Sequence, residues 1–129
     1  MFEIMIEDRF AAAHQLLGYG GPCENIHGHT WKVQVFLKGQ DLGRTGMLFD
    51  FKEAKMILKD ILKDYDHKNL NEIRFFKKDN PTAENIAKRI HDEYNIKLKN
   101  VQTPRGASPI IITKTTVWES EATCATYSS

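Results

Sequence analysis

Apolar and polar residues alternate along two segments in the first third of the chain. In the first segment, an apolar residue or a histidine occupies these even positions: Phe2, Ile4, Ile6, Phe10, Ala12 and His14. In the second, the odd positions form one face, with polar residues between them: His27, His29, Trp31, Val33, Val35 and Leu37. Successive strand residues point to opposite faces of a sheet, so both segments are predicted to be half-buried antiparallel strands, the second ending near Gly39.

Two later segments have the spacing of amphipathic helices. The first is predicted to begin at Asp50, where Asp50 and Glu53 have the form of a capping box. Its apolar stripe is Phe51, Ala54, Ile57, Leu58, Ile61, Leu62 and Tyr65. The second begins near Thr82, and its stripe is Ala83, Ile86, Ala87, Ile90 and Tyr94. His91 falls outside this stripe and is expected to be solvated.

The C-terminal part is predicted to form two strands, from about Lys97 to Thr103 and from Ile110 to Glu119. The second is rich in β-branched residues, which favour strands. The predicted order is ββααββ, an α+β domain over residues 1–129 with both helices on one face of the sheet. A sheet this small leaves open edges at which copies of the chain could pair.

Composition limits the functions to consider. The chain has 18 basic and 17 acidic side chains, with no basic run interleaved with aromatic residues. A small molecule is therefore a more natural partner than nucleic acid. The first residues alternate apolar and charged side chains, unlike a signal peptide, and no apolar stretch is long enough for a membrane. With only two cysteines, a cytoplasmic location is expected.

Histidines are concentrated near the start of the chain. His27 and His29 share one face of the predicted strand, and Gly28 between them leaves room for close approach. His14, on the neighbouring strand, could supply a third imidazole. Three histidines with an open fourth position are typical of a catalytic zinc site. The alternative is that each is an ordinary strand histidine.

Four motifs, in order, resemble those of the 6-pyruvoyltetrahydropterin synthase and 6-carboxytetrahydropterin synthase family. They are Cys-x-x-x-His-Gly-His with an upstream histidine, Asp-His-x-x-Leu-Asn, Pro-Thr-x-Glu-Asn-Ile-Ala and Val-Trp-Glu. Here they lie at residues 23–29 with His14, at 66–71, at 81–87 and at 117–119. The resemblance implies the tunnelling fold (T-fold), with a four-stranded antiparallel sheet and two helices on one face. It also implies a homohexamer, a dimer of trimers, with sites at the subunit interfaces.

The resemblance implies a role for seven residues, and each role is chemically sensible. The zinc ligands would be His14, His27 and His29. Cys23 would be the general base, because a thiol near a dication has a lowered pKa. Asp66 and His67 would relay protons to the cysteine, from a neighbouring subunit. Glu119 would anchor a pterin through two parallel hydrogen bonds.

The implied substrate is 7,8-dihydroneopterin triphosphate, and three reactions occur in the family. One gives 6-carboxy-5,6,7,8-tetrahydropterin with loss of acetaldehyde and triphosphate, for queuosine synthesis. A second gives 6-pyruvoyltetrahydropterin, and a third cleaves the side chain to 6-hydroxymethyl-7,8-dihydropterin for folate. The third is marked by Glu-x-x-His-Gly-His, which Glu24 satisfies. Candidates to bind the triphosphate are Arg74, Lys77, Lys78 and Arg105.

Several alternatives stay open at this point. Cys23 could be an inert buried thiol or pair with Cys124 in a disulfide, and Glu24 could occupy a permissive position. Asp66 could simply cap the end of the first helix, with His67 solvated. A cupin-like metal site would need a glutamate and a further histidine after the histidine pair, and the spacing here does not provide them. A binding module without catalysis would be expected to lack Cys23, Asp66 or His67.

Overall fold

The computed structural model describes residues 1–21, 24–101 and 109–129. The helices and strands are β1 (Phe2–His14), β2 (His27–Gly39), α1 (Phe51–Leu62), β3 (Lys68–Asn69), α2 (Ala83–Lys99), β4 (Ile111–Trp118) and β5 (Cys124–Ser128). Two short 3₁₀ helices, Leu70–Glu72 and Arg74–Phe76, connect β3 to the segment before α2. The strands form one sheet in the order β3-β1-β2-β4-β5.

The α+β class with two helices is confirmed, and the strand count is corrected. The predicted sheet had four antiparallel strands, whereas the described residues form five. Two of these strands, β3 and β5, were not predicted, and β3 is only two residues long and pairs in parallel with Ala12 and Ala13 of β1. All other pairings are antiparallel. A two-residue strand has no periodicity, so the sequence pattern could not predict it.

The long β1–β2 ladder accounts for the alternation seen in the sequence. It runs from Phe2 opposite Gly39 to His14 opposite His27. The even positions of β1 and the odd positions of β2 face the helices, and their apolar side chains join those of α1 and α2 in one core. Trp31, Val33, Val35 and Leu37 are fully buried. The sheet therefore has a helix-covered face and an open face.

Both helices begin at the residues that the sequence predicts. The side chain of Asp50 accepts a hydrogen bond from the Lys52 amide at 2.8 Å, and that of Thr82 accepts one from the Asn85 amide at 3.1 Å. These side chains satisfy amide groups that have no partner within the helix. The Tyr94 hydroxyl donates to the Ala54 carbonyl at 2.9 Å and so joins α2 to α1.

The predicted strand from Lys97 to Thr103 is wrong where the structure describes it. Helix α2 continues to Lys99, and Leu98 is buried one turn after Tyr94. The basic side chains of Lys97 and Lys99 lie in the last turn, where the helix dipole favours them. Residues 102 and 103 lie outside the described residues. The final hairpin is instead β4 and β5, joined through a turn after Trp118.

The expectation that His91 is solvated is also wrong. His91 is only 2% exposed, and its ring lies 5.0 Å from that of Tyr127 on β5. Its Nδ1 is 3.1 Å from the Thr115 hydroxyl oxygen, and its Nε2 is 3.3 Å from that of Ser129. Strand β5 covers this side of α2, and its presence was not predicted. Within the described residues, no helix is both long and apolar enough to cross a membrane.

Candidate active site

Three histidines lie together where β1 ends and β2 begins. His14 is directly opposite His27 in the ladder, and His29 is opposite Ala12. The ring centroids are 4.5 Å apart for His14 and His27, 5.1 Å for His14 and His29, and 4.9 Å for His27 and His29. One nitrogen from each ring lies within 4.8 Å of the others, a spacing at which the three could hold a metal ion. The structure thus brings together the three histidines that the sequence singles out as candidate metal ligands.

The indole of Trp31 forms the floor of this histidine cluster. Its ring centroid is 4.8 Å from that of His14 and 5.2 Å from that of His29, in edge-on arrangements. The indole N–H donates to the Ala12 carbonyl at 3.3 Å, and Phe10 stacks against the ring. Because Trp31 is fully buried, it limits the rotation of the imidazoles above it.

Backbone carbonyls select the tautomer of two of the histidines. Nδ1 of His14 donates to the carbonyl oxygen of Pro81 at 2.8 Å, and Nδ1 of His27 donates to that of Asn25 at 2.7 Å. A carbonyl oxygen can only accept, so each Nδ1 carries the proton and each Nε2 keeps a free lone pair. This is how ligating histidines are usually oriented.

The remaining nitrogens of the cluster are well suited to a cation. Nε2 of His14 and Nε2 of His29 are buried, and neither has a hydrogen-bond partner among the described residues. Burial lowers the pKa of both imidazoles below the usual 6.5, which favours the neutral form. Buried polar atoms without partners are costly, and a bound metal ion would remove that cost. The donor set therefore fits a divalent metal with nitrogen ligands.

Glu119 lies beside the cluster, just after the end of β4. Its two carboxylate oxygens are 3.7 Å from Nε2 of His14 and 3.8 Å from Nε2 of His29, too far for hydrogen bonds. Its backbone N–H donates to the Thr123 carbonyl at 3.1 Å, which fixes the start of the turn. Glu119 also lines a groove of about 340 Å³ with Thr82 and Glu84 of the α2 start. The carboxylate thus lies between the histidines and an open space of ligand size.

Asp66 and His67 form a hydrogen-bonded pair on the outer edge of β1. The distance from Asp66 Oδ2 to His67 Nδ1 is 2.9 Å. Asp66 Oδ1 accepts from the Ala11 amide at 2.9 Å, and this bond is the main reason that the pKa of the carboxyl is lowered. The His67 amide donates to the Ala11 carbonyl at 2.6 Å. Both Asp66 and His67 are therefore held against one residue of β1.

His67 has a backbone conformation that is uncommon for a residue other than glycine. Its φ is +59°, in the left-handed region that side chains other than glycine seldom adopt. This turn reverses the chain after α1 and lets two adjacent side chains contact each other. The imidazole of His67 is 82% exposed, so it is directed away from the core. Of the alternative stated above, a cap of α1 by the Asp66 side chain does not match this arrangement, whereas the solvated imidazole of His67 does.

The other predicted site residues form no hydrogen bond or ion pair with the histidine cluster where the structure describes them, or lie outside the described residues. Cys23 and Arg105 lie outside the described residues. Glu24 is exposed, and its amide donates to the Gly21 carbonyl at 3.0 Å. Arg74, Lys77 and Lys78 are exposed. Cys124 is exposed and has no disulfide partner in the part of the chain that the structure describes.

Two contributors to the site were missed from the sequence. Trp31 continues the face of His27 and His29 by two residues, so its place beneath the cluster was foreseeable from alternation. The contact of the Pro81 carbonyl with His14 could not be foreseen, because Pro81 is 67 residues further along the chain and acts through its backbone. Only the Pro-Thr-x-Glu-Asn motif gave a signal there.

Comparison with known proteins places these features in a family. The family model of 6-pyruvoyl tetrahydropterin synthase matches residues 3–129. A 6-carboxy-5,6,7,8-tetrahydropterin synthase of Bacillus subtilis is 29% identical over 119 residues, covering 88% of this chain and 80% of its own. A dihydroneopterin monophosphate aldolase of Pyrococcus furiosus is 41% identical over 64 residues, about half of each chain (50% and 51%). The structure of Caenorhabditis elegans 6-pyruvoyl tetrahydropterin synthase superposes with a TM-score of 0.82 at 27% identity, covering 99% of this chain and 95% of that one.

Proposed function

This chain belongs to the 6-pyruvoyl tetrahydropterin synthase family, and from that premise we propose that it converts 7,8-dihydroneopterin triphosphate to 6-carboxy-5,6,7,8-tetrahydropterin. It is a lyase of the tetrahydropterin synthase type. The proposed products include acetaldehyde and triphosphate, and the proposed pathway is cytoplasmic queuosine synthesis. The observation that carries the proposal is the cluster of three histidines beside Glu119, in which two Nε2 atoms have no hydrogen-bond partner among the described residues.

We propose that His14, His27 and His29 hold one Zn²⁺ per subunit. Neutral imidazoles suit zinc, and three of them leave a fourth coordination position free. A zinc ion bound there would polarise a substrate hydroxyl and make the neighbouring carbon-bound hydrogen more acidic. The protein contributes the orientation of the rings, through the Trp31 floor and the two backbone carbonyls.

Cys23 is proposed as the general base that takes this carbon-bound proton. It precedes the histidine pair by four residues, and the position matches the family motif. Asp66 and His67 are proposed to exchange a proton with the thiol. The Asp66–His67 pair is preorganised by Ala11, and the exposed imidazole is accessible to a neighbouring copy. We propose a homohexamer in which one subunit supplies the Asp66–His67 pair to the cysteine of another, and the exposure of the His67 imidazole leaves that contact open.

Glu119 is proposed to anchor the pterin ring. A carboxylate can accept two parallel hydrogen bonds from the amino group and ring N–H of a pterin. Its position between the histidines and the groove would hold the ring with its side chain towards the metal. Binding and bond cleavage would then take place within one continuous site.

A second candidate reaction is aldol-type cleavage to 6-hydroxymethyl-7,8-dihydropterin. It is favoured by Glu24, which satisfies the Glu-x-x-His-Gly-His marker, and by the partial similarity to the Pyrococcus aldolase. Glu24 is exposed and precedes His27 by three residues, and its carboxylate would be an alternative base to the thiol of the adjacent Cys23. The two reactions differ in their products, so one assay separates them.

The test is to incubate the zinc-loaded protein with 7,8-dihydroneopterin triphosphate and identify pterin and aldehyde products by mass spectrometry. Carboxytetrahydropterin with acetaldehyde supports the main proposal, and hydroxymethyldihydropterin supports the second. Cys23→Ala should abolish the first product with zinc still bound, and Glu24→Ala should abolish the second. Turnover that survives Cys23→Ala would refute the role of the thiol.

A further inference from the structure

The turn that carries Asp66 and His67 is anchored in the core by Tyr65, the residue before them. Helix α1 ends at Leu62, and the amides of Tyr65 and Asp66 both donate to the Leu62 carbonyl, at 3.0 and 2.9 Å. Tyr65 is 1% exposed, whereas the side chain of His67 is largely exposed. The chain therefore passes from the core to the surface within three residues, and the place of the Tyr65 ring sets where the Asp66–His67 pair emerges.

Two consecutive residues of β1 hold this turn, one in the core and one at the strand edge. The ring of Phe10 packs against the ring of Tyr65, with centroids 5.5 Å apart. Ala11, the next residue, accepts from the His67 amide through its carbonyl and donates to the Asp66 carboxylate through its amide. Because neighbouring residues are joined by a rigid planar peptide, a shift of the Tyr65 ring on Phe10 would disturb the hydrogen bonds to Ala11. The core contact and the edge contacts therefore belong to one arrangement.

The hydroxyl of Tyr65 is fixed by a carboxylate on α2. It donates to Glu93 Oε1 at 2.6 Å, and Nε of Arg89 donates to the same oxygen at 3.0 Å. The guanidinium of Arg89 lies over the ring of Phe75, 3.2 Å from its centroid, which holds Arg89 in turn. Burial raises the pKa of the Tyr65 phenol, so the hydroxyl keeps its proton and acts as the donor. A buried hydroxyl that loses its acceptor is costly, and the ring would shift towards another partner.

We infer that Tyr65 and Glu93 are positioning residues for the Asp66–His67 pair. Their hydrogen bond fixes the Tyr65 ring, and the ring fixes the turn against β1. The pair is proposed to exchange a proton, and groups that do so must come within about 2.6–3.2 Å of each other. A turn that is displaced or loosened would therefore slow the reaction while leaving zinc and substrate binding in place. The inference rests on the proposed function.

The experiment changes each side of this hydrogen bond in the zinc-loaded protein. Glu93→Ala removes the acceptor, Glu93→Gln keeps an oxygen in its place, and Tyr65→Phe removes the hydroxyl but keeps the buried ring. One control is Tyr94→Phe, which removes a buried tyrosine hydrogen bond of 2.9 Å between α2 and α1. The other is Asp92→Ala, which removes the adjacent carboxylate of α2, paired with Lys88 at 2.9 Å.

For each protein we would measure zinc content, kcat and KM for 7,8-dihydroneopterin triphosphate, and hydrogen exchange of the His67 amide. That amide donates to the Ala11 carbonyl, so its exchange rate reports whether the turn is in place. Glu93→Ala should lower kcat about tenfold and Tyr65→Phe about threefold, with KM changed less than about twofold and the zinc retained. The His67 amide should exchange faster in both. Glu93→Gln and the two controls should keep the kcat and the exchange rate of the parent protein.

Three results would overturn the inference. If Glu93→Gln were as slow as Glu93→Ala, the charge of Glu93 would matter and its hydrogen bond to Tyr65 would not. An equal loss of kcat in Tyr94→Phe would attribute the effect to general stability. Faster exchange at His67 with kcat unchanged would leave Tyr65 and Glu93 a purely structural role. Tyr65→Phe keeps the ring in the core, so it decides the question even if Glu93→Ala does not fold.

The exchange measurement separates this inference from the proposed function. Unchanged exchange at His67 in Tyr65→Phe and Glu93→Ala would refute the anchoring of the turn, whether or not the protein is active. A parent protein that does not turn over the substrate, with faster exchange in both variants, would refute the proposed function and leave the anchoring in place.

Discussion

The imidazole of His14 donates from Nδ1 to the carbonyl oxygen of Pro81, 2.8 Å away and 67 residues further along the chain. This bond joins the end of β1 to the residue just before the cap of α2. It leaves Nε2 of His14 buried and without a partner among the described residues, directed at the other two histidines. The family motif that begins at Pro81 therefore contributes to the candidate metal site through its backbone.

Removing one imidazole from the cluster should abolish tight zinc binding. We expect His29→Ala to lower zinc affinity more than about 100-fold, since even residues that only orient ligands contribute about 10- to 100-fold. Competition with a chromophoric chelator would measure the affinity. His67→Ala is the matched control, because His67 is exposed and on another edge, and it should keep its zinc. Equal affinity in His29→Ala and the parent would contradict the proposed ligand set.

The stability of the metal-free protein should fall as the pH is lowered. Burial lowers the pKa of His14, His29 and His91 below 6.5 in the folded protein. Below about pH 6.5 the unfolded chain therefore binds protons that the folded chain does not, and folding becomes less favourable. Each histidine can contribute at most about 1.4 kcal/mol per pH unit.

Thermal unfolding in the presence of a chelator, from about pH 8 to about pH 5, would test this dependence. The melting temperature should stay level above the usual histidine pKa and fall below it. His14→Gln removes one of the buried titrating groups, so its curve should be shallower than that of the parent. A melting temperature that rises on acidification would contradict the predicted direction of the pH dependence.

The parts of the fold that the sequence predicts are those with long regular patterns. Strands β1 and β2 and the starts of α1 and α2 follow from alternation, helical spacing and caps. The extension of α2 to Lys99 was missed because residues 96–99 alternate apolar and basic side chains, which is the pattern of a strand, although Leu98 continues the helical stripe after Tyr94. Strand β5 has only five residues, and its position against α2 explains the burial of His91. Short strands depend on tertiary pairing more than on local pattern.

The candidate site also has one part that the sequence pattern predicts and another that it does not. The histidine cluster follows from two residues on one strand face and a third on its neighbour, which is a local pattern. The Asp66–His67 contact depends on a left-handed backbone conformation at His67, which residues other than glycine adopt in only a few per cent of cases. The hydrogen bond between Tyr65 and Glu93 joins positions 28 residues apart. Sequence spacing carries no signal for contacts of this kind.

Replacing Asp66 by asparagine should slow the reaction without unfolding the protein. Asp66→Asn keeps an oxygen to accept from the Ala11 amide but loses the negative charge beside His67. Positioned acid–base groups contribute about 10²- to 10⁴-fold to a rate, so we expect kcat to fall at least about tenfold. Steady-state kinetics with the zinc-loaded protein would measure it.

Asp64→Asn is the control for this substitution, since Asp64 is exposed and only two residues away. It removes the same charge from the same turn and should leave kcat unchanged. If both variants lost activity equally, the effect would be a general one of charge, and the role assigned to Asp66 would be wrong.

Glu119→Gln should weaken substrate binding and leave the zinc in place. The amide keeps one acceptor, but it loses the charge and the second parallel hydrogen bond to the pterin. Hydrogen bonds to charged groups contribute about 1.5–3 kcal/mol, which corresponds to a rise of about ten- to 100-fold in the dissociation constant of the pterin. Fluorescence titration with a non-reacting pterin would measure it.

Glu121→Gln serves as the comparison, because Glu121 is exposed in the turn after Glu119. It should bind pterin as the parent does. Zinc content distinguishes the two possible roles of Glu119, whose oxygens are 3.7 and 3.8 Å from two proposed ligands. Loss of zinc in Glu119→Gln would make this carboxylate a fourth metal ligand. Retained zinc with weakened pterin binding is the result expected of an anchor.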